Sequence, residues 1–213
     1  MRVLHEEGVA KPPRPRIKKS SPGCRRVSDR GRRHGRARER ECPDGPAWSE
    51  TLACGRELGV ARAITATTSG RSHPLLATRP SVFDALCSHI DELEQLPPGA
   101  EVLAENELCP IQALAVQLPS GNIFFGTQYH PEFTLAVAAG LIEMRAASLV
   151  AEGFGRDCAE LVSMACDFRV LHAEPERRDL SWRYGIGPEI VDPVRRTAEI
   201  GNWLREAAKI SGS

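Results

Sequence analysis

The 213-residue chain has no C-x-x-C pair, no long apolar run and few aromatic residues, 5% of the total. Its seven cysteines (Cys24, Cys42, Cys54, Cys87, Cys109, Cys158 and Cys166) are odd in number and scattered. A disulfide framework or a structural zinc site needs closely paired thiols, so neither is expected. The thiols read as reduced, several of them buried as small apolar groups. A membrane-spanning helix takes about 18 or more consecutive apolar residues, and none of that length occurs. The N-terminus is basic but lacks the apolar core of a secretory signal, which points to a cytoplasmic protein.

The zero net charge conceals a split. Residues 1–40 hold 14 of the 28 Lys and Arg but only four acidic residues, Glu6, Glu7, Asp29 and Glu39. A basic head therefore precedes an acidic body. The run from Lys11 to Gly23 is broken by prolines, and Arg25 to Arg40 is mostly Arg, Gly and Ser. Neither has an apolar repeat of period 2 or 3.6, so neither can bury a face. Residues 1–54 are expected to be disordered, or to be an out-of-frame segment, and residues 55–213 to form the folded domain. Lys and Arg clusters suit phosphates. The head nevertheless has no aromatic side chain to stack on a base, so nucleic acid is not the expected partner.

From Gly55 onward the pattern changes. Residues 58–67 alternate as a strand does. Residues 72–76 read as a short turn or helix and 81–84 as a short strand. Leu96-Pro-Pro-Gly99 is a turn, Glu101–Ala104 a strand, and Gln112–Leu118 and Ile123–Tyr129 a hairpin closed by Pro119-Ser-Gly-Asn122. Helices follow over 134–151 with Thr134 as cap, over roughly 154–168, and from Asp192 to about Ile210 with Pro193 in the first turn. The last presents Ile200, Trp203, Leu204 and Ala207 at helical spacing, an apolar face for the core. Strands followed by helices fit an α/β layered domain.

The chemistry concentrates at Gly126-Thr-Gln-Tyr-His-Pro-Glu132. An imidazole and a carboxylate follow the end of an apolar strand, separated by one proline. An imidazole can accept a thiol proton near neutral pH. A carboxylate on its other nitrogen fixes the tautomer and stabilises the imidazolium. His130 and Glu132 are therefore the candidate base and orienter. Read by itself, Ser88-His89-Ile-Asp91 is a helix N-terminus with Ser88 as cap.

These residues resemble the class I glutamine amidotransferase family, in which G-x-Q-[YF]-H-P-E is the hallmark. Cys87-Ser-His-Ile-Asp-Glu-Leu-Glu-Gln-Leu-Pro-Pro-Gly-Ala-Glu-Val-Leu-Ala104 is similar to that family's S-H-x-D-x-V-x-x-L-P-x-G segment. Asn106–Gln112 and Gly55-Arg-Glu-Leu-Gly59 also resemble family segments. The resemblance implies a flavodoxin-like α/β fold, glutamine as substrate, no cofactor or metal, and release of ammonia to a synthetase partner. It implies that a cysteine thiolate attacks the glutamine amide, with His130 as base and acid and Glu132 as its orienter. It also places Ser88, His89, Gln128 and Tyr129 around the glutamine pocket.

The chain departs from the family at the nucleophile. The family's G-x-C-x-G-x-Q turn does not occur. Cys24 and Cys42 lie in the basic and proline-broken stretches, and Pro43 cannot donate the N–H that an oxyanion hole needs. Cys54 follows no hydrophobic strand. The expected fold therefore lacks its N-terminal third, through truncation, a shifted reading frame or a genuine basic tail on a degenerate homologue. Two functions follow: an impaired glutamine hydrolase of the amidotransferase type, or a non-catalytic remnant that binds a partner.

Overall fold

The computed structural model describes residues 2–4, 51–93 and 95–211, with side chains from Glu57 to Lys209. The expectations for the basic head lie outside the described residues except at Arg2–Leu4 and Thr51–Cys54, which lie in strands.

The core is one six-stranded sheet with the order β1-β6-β5-β4-β2-β3. Its strands are β1 (Arg2–Leu4), β2 (Thr51–Ala66), β3 (Val82–Leu93), β4 (Ala100–Glu105), β5 (Ala113–Gln117) and β6 (Ile123–Thr127). Between β2 and β3 come α1 (Thr68–Ser72) and a 3-10 turn, Pro74–Leu76. The helices α2 (Leu135–Met144), α3 (Ala146–Ala151), α4 (Cys158–Ala173), α5 (Arg178–Tyr184), α6 (Pro188–Val191), α7 (Pro193–Arg196) and α8 (Ala198–Ser211) follow. The expected hairpin is present, with Ala113 opposite Thr127 and Gln117 opposite Ile123. Every pairing among the described residues is antiparallel, so the parallel part of the expected sheet is not among them.

Three expectations are corrected. The strand at residue 81 is much longer than expected and runs through Ser88, His89 and Asp91, so Ser88 caps no helix. The reason is cross-strand pairing: His89 faces Glu57, Ser88 faces Leu58 and Cys87 faces Gly59. The helix expected over 134–151 breaks at Arg145 (φ −111°, ψ 9°). The terminal helix comes in two pieces, α7 and α8, with Asp192 capping α7 and Pro193 opening it. α5 was not anticipated.

Alternation along β3 sorts its side chains to two sides. Phe83, Ala85 and Cys87 join a cluster with Ile64, Leu103, Phe125 and Tyr129. Leu86 belongs to a second cluster with Leu135, Ala139, Leu161 and Phe168, against which Phe133 packs. Helices α2 and α4 cover this second side. The first is closed by α8 and the 3-10 turn, where Trp203 is partly buried.

α8 meets its expected apolar face only in part: Trp203 packs against the core and Ile200 and Ala207 are half-buried. Leu204 is 55% exposed, whereas Glu199 and Asn202 are buried. Asn202 Nδ2 donates to Leu75 O at 2.7 Å. Glu199 receives Arg79 on both oxygens, Nε at 2.7 Å and Nη2 at 2.9 Å, and the Tyr129 hydroxyl at 2.7 Å. Polar anchoring thus adds to the packing of Trp203 in holding this helix.

Candidate active site

β6 ends at Thr127, and the next residues turn across the sheet. His130 N donates to Leu86 O on β3 at 2.7 Å, and Phe133 N donates to His130 O at 3.1 Å. Thr134 then caps α2, its side chain accepting from Val137 N. Pro131, with its fixed φ, stiffens this exit.

The His130 Nδ1 to Glu132 Oε1 distance is 3.0 Å. An ionised carboxylate only accepts, so Nδ1 carries the shared proton and Nε2 is left as the basic nitrogen. The ring stacks on Phe133 at 3.9 Å with the planes 5° apart. His130 and Glu132 side chains are 17% and 24% exposed. The pair is thus oriented, partly dry and still accessible, which suits proton transfer at Nε2.

The other sequence candidates divide between the two sides of β3. Ser88 lies on the Leu86 side, and its hydroxyl accepts from Arg145 Nη1 at 2.6 Å. The break between α2 and α3 aims Arg145 there. His89 lies on the other side, with Nε2 2.8 Å from Glu57 Oε2 and Nδ1 3.2 Å from Asp91 O. Both ring nitrogens are engaged, so this ring is not free to bond a substrate. Gln128 Nε2 donates to Asp91 O at 2.9 Å. Tyr129 is 0% exposed, and its hydroxyl is bound to Glu199. Burial pushes this phenol well above its usual range, and Glu199 adds to the shift. Tyr129 therefore belongs to the core rather than to a pocket rim, because the bend after β6 turns its ring into the cluster of Ile64, Phe83 and Phe125.

The described thiols do not resemble an activated nucleophile. Cys87 is 2% exposed, and burial followed by the nearby Glu57 charge pushes its thiol far up. Cys109 is buried, with Sγ 3.5 Å from Ile111 O. Cys158 and Cys166 are exposed on α4. Cys54 lies within β2 and not on a turn. Only the thiolate reacts at an appreciable rate. Iodoacetamide labelling followed by peptide mapping is expected to modify Cys158 and Cys166 in the native protein. Cys87 and Cys109 are expected to react only after denaturation. Early modification of Cys87 would contradict its placement in the core.

Sequence reasoning missed Glu57, Asn106, Gln112 and Arg145. The first three lie in segments that it matched to the family, and a carboxylate flanked by glycines in a strand was the available signal. Nothing in the sequence marked Arg145. Among the described residues no group of three or more His, Cys, Asp and Glu is placed to hold a metal ion. No described helix is long and apolar enough to cross a membrane.

Residues 52–144 match the family model described as glutamine amidotransferase class-I. This match identifies a class I glutamine amidotransferase segment over those residues. Its fold is accordingly of the flavodoxin-like α/β kind. The chain is similar to a gamma-glutamyl-L-1-hydroxyisopropylamide hydrolase from Pseudomonas sp, 37% identical over 156 residues, covering 73% of this chain and 52% of the relative. It is also similar to one of the subunits of a glutamine-hydrolyzing GMP synthase from Methanocaldococcus jannaschii, 33% identical over 85 residues, covering 38% of this chain and 44% of that relative. A glutamine amidotransferase structure from Thermotoga maritima aligns with 75% of this chain and 56% of its own, at 16% identity and a TM-score of 0.45. The chain thus spans about half the length of these relatives.

Proposed function

We propose that this chain carries the base-and-orienter half of a γ-glutamyl amide hydrolase site of the amidotransferase type. The observation behind this reading is the bonded His130–Glu132 pair at the exit of β6. His130 Nε2 moves the proton, and Glu132 holds the ring in the right tautomer and steadies the imidazolium. Glutamine is the simplest γ-glutamyl amide, and the names of two relatives are those of enzymes that cleave such bonds. The ammonia passes to a separate synthetase partner, in keeping with a relative that is one component of such an enzyme. With no G-x-C-x-G-x-Q thiol, hydrolysis by this chain is impaired.

Ser88 and Arg145 lie on the Leu86 side of β3, beside the strand position that binds His130 N. Ser88 is two residues from Leu86, about 6–7 Å along a strand. A γ-glutamyl group has four bonds between its amide carbon and its α-carboxyl carbon, a comparable reach. The Arg145 guanidinium suits that carboxylate. Arg145→Met is expected to raise the KM for glutamine roughly tenfold or more, since a hydrogen bond to a charged group contributes about 1.5–3 kcal/mol. Steady-state ammonia release checks it, and an unchanged KM would remove Arg145 from the site.

The second reading is a non-catalytic binding module. It is favoured by the burial of Cys87 and Cys109 and by the strand position of Cys54. Ammonia release from glutamine separates the two. Release that depends on His130 supports the first reading, and no release supports the second.

A further inference from the structure

Apart from the His130–Glu132 pair, the described residues hold another buried cluster of titratable groups, centred on Glu57 of β2. Glu57 is 5% exposed. Its carboxylate accepts from His89 Nε2 at 2.8 Å, from Gln112 Nε2 at 2.9 Å and from Asn106 Nδ2 at 2.9 Å. Burial raises this carboxyl, but the three hydrogen bonds and the His89 charge together outweigh it and hold the group below the usual carboxylate range. His89 Nδ1 lies 3.2 Å from Asp91 O, so both ring nitrogens are held within the cluster.

The cluster reaches the exit of β6. Asp91 O also accepts from Gln128 Nε2 at 2.9 Å. Gln128 N donates to Gln112 O at 2.8 Å, so this residue is tied to the cluster by both backbone and side chain. Two residues later, His130 N bonds Leu86 O. The turn that carries His130 is therefore strapped to β3 at two points, one of which the Glu57 cluster supplies.

Stability alone is a poor reason for such a cluster. A buried ion pair recovers little more than its desolvation costs, and apolar side chains of like volume serve a core as well or better. Gln112 Oε1 is also buried without a partner among the described residues, an unfavourable arrangement. The arrangement fixes geometry instead.

We propose that Glu57 is a positioning residue for the His130 site: by anchoring His89 and, through the Asp91 carbonyl, Gln128, it sets the turn that presents His130 and Glu132. The role rests on the functional reading above, but its primary test does not require turnover. The test is NMR of the full chain carrying 15N-labelled histidine and glutamine side chains, in the wild type, Glu57→Gln and Asn106→Ala. In Glu57→Gln the His130 Nδ1–H signal, which reports the bond to Glu132, and the Gln128 side-chain amide are expected to shift together. The methyl signals of Leu149, in the cluster on the other side of β3, are expected to stay in place. Asn106→Ala, which leaves the carboxylate and its two other donors, is expected to move the same signals less and in the same direction. It decides the matter alone if Glu57→Gln does not fold. Unmoved His130 and Gln128 signals overturn the proposal. As a second readout, kcat/KM for glutamine is expected to fall about 10–100-fold in Glu57→Gln, because a misplacement of about 1 Å in a supporting group has that effect. A wild-type chain without His130-dependent ammonia release overturns the hydrolase reading and leaves the spectroscopic result intact.

Discussion

Under the hydrolase reading, in which a thiol serves the site, ammonia release from glutamine is expected to fall by about 10²–10⁴-fold when His130 is replaced by alanine, the usual contribution of a positioned general base. His130 is the only imidazole among the described residues that is bonded to a carboxylate through one nitrogen and open at the other. Glu132→Gln tests the orienter separately. It keeps the size of the side chain but lets the ring adopt the wrong tautomer, so a large loss is expected with little change in KM. Both variants change side chains that are partly exposed, so thermal stability is expected to move little. The members of a nucleophile–base–orienter set act as a unit, and a base without a thiol contributes little. A wild-type rate that His130→Ala leaves within a few-fold would therefore assign this chain to the binding reading. A coupled glutamate dehydrogenase assay measures both rates.

Glu199→Ala is expected to cost about 3–5 kcal/mol of folding stability, the loss found when one partner of a buried ion pair is removed. Arg79 and Glu199 side chains are 2% and 0% exposed. Arg79 also donates to Arg196 O and lies 4.7 Å from the Phe83 ring centroid. Removing the carboxylate strands a buried cation and leaves the Tyr129 hydroxyl without its acceptor. For a chain of this length that loss lowers Tm by roughly 6–20 °C. Replacing Arg79 and Glu199 together by Met and Leu is expected to recover most of it, because the cost lies in the orphaned charge. Calorimetry on the single and double variants checks both statements. A single-variant loss below about 1 kcal/mol would mean that the pair is hydrated in solution.

The strands from β4 to β6 and the hairpin turn were legible because their apolar residues alternate and their turns use Pro, Gly, Ser and Asn. The His130–Glu132 pair was legible because both partners lie in one short segment, and two residues set their spacing. β3 was misjudged at Ser88 because a Ser before a run of Asp and Glu has the local chemistry of a helix cap. Its pairing with β2 is a long-range choice that no local pattern records. The same limit hid Glu57, whose partners come from residues 89, 106 and 112. α8 was legible in part: Trp203 packs on the core as its spacing suggested, but Leu204 faces out and the buried Glu199 and Asn202 had no local signal. The break at Arg145 interrupts an otherwise good helical sequence and has no proline or glycine to announce it.

Tyr129 and His130 are neighbours in the chain, yet one belongs to the side of the sheet closed by α8 and the other to the side covered by α2. A single peptide plane joins them. The C-terminal helix lies beyond the matched segment, 52–144, and yet holds, through Glu199, the residue next to His130.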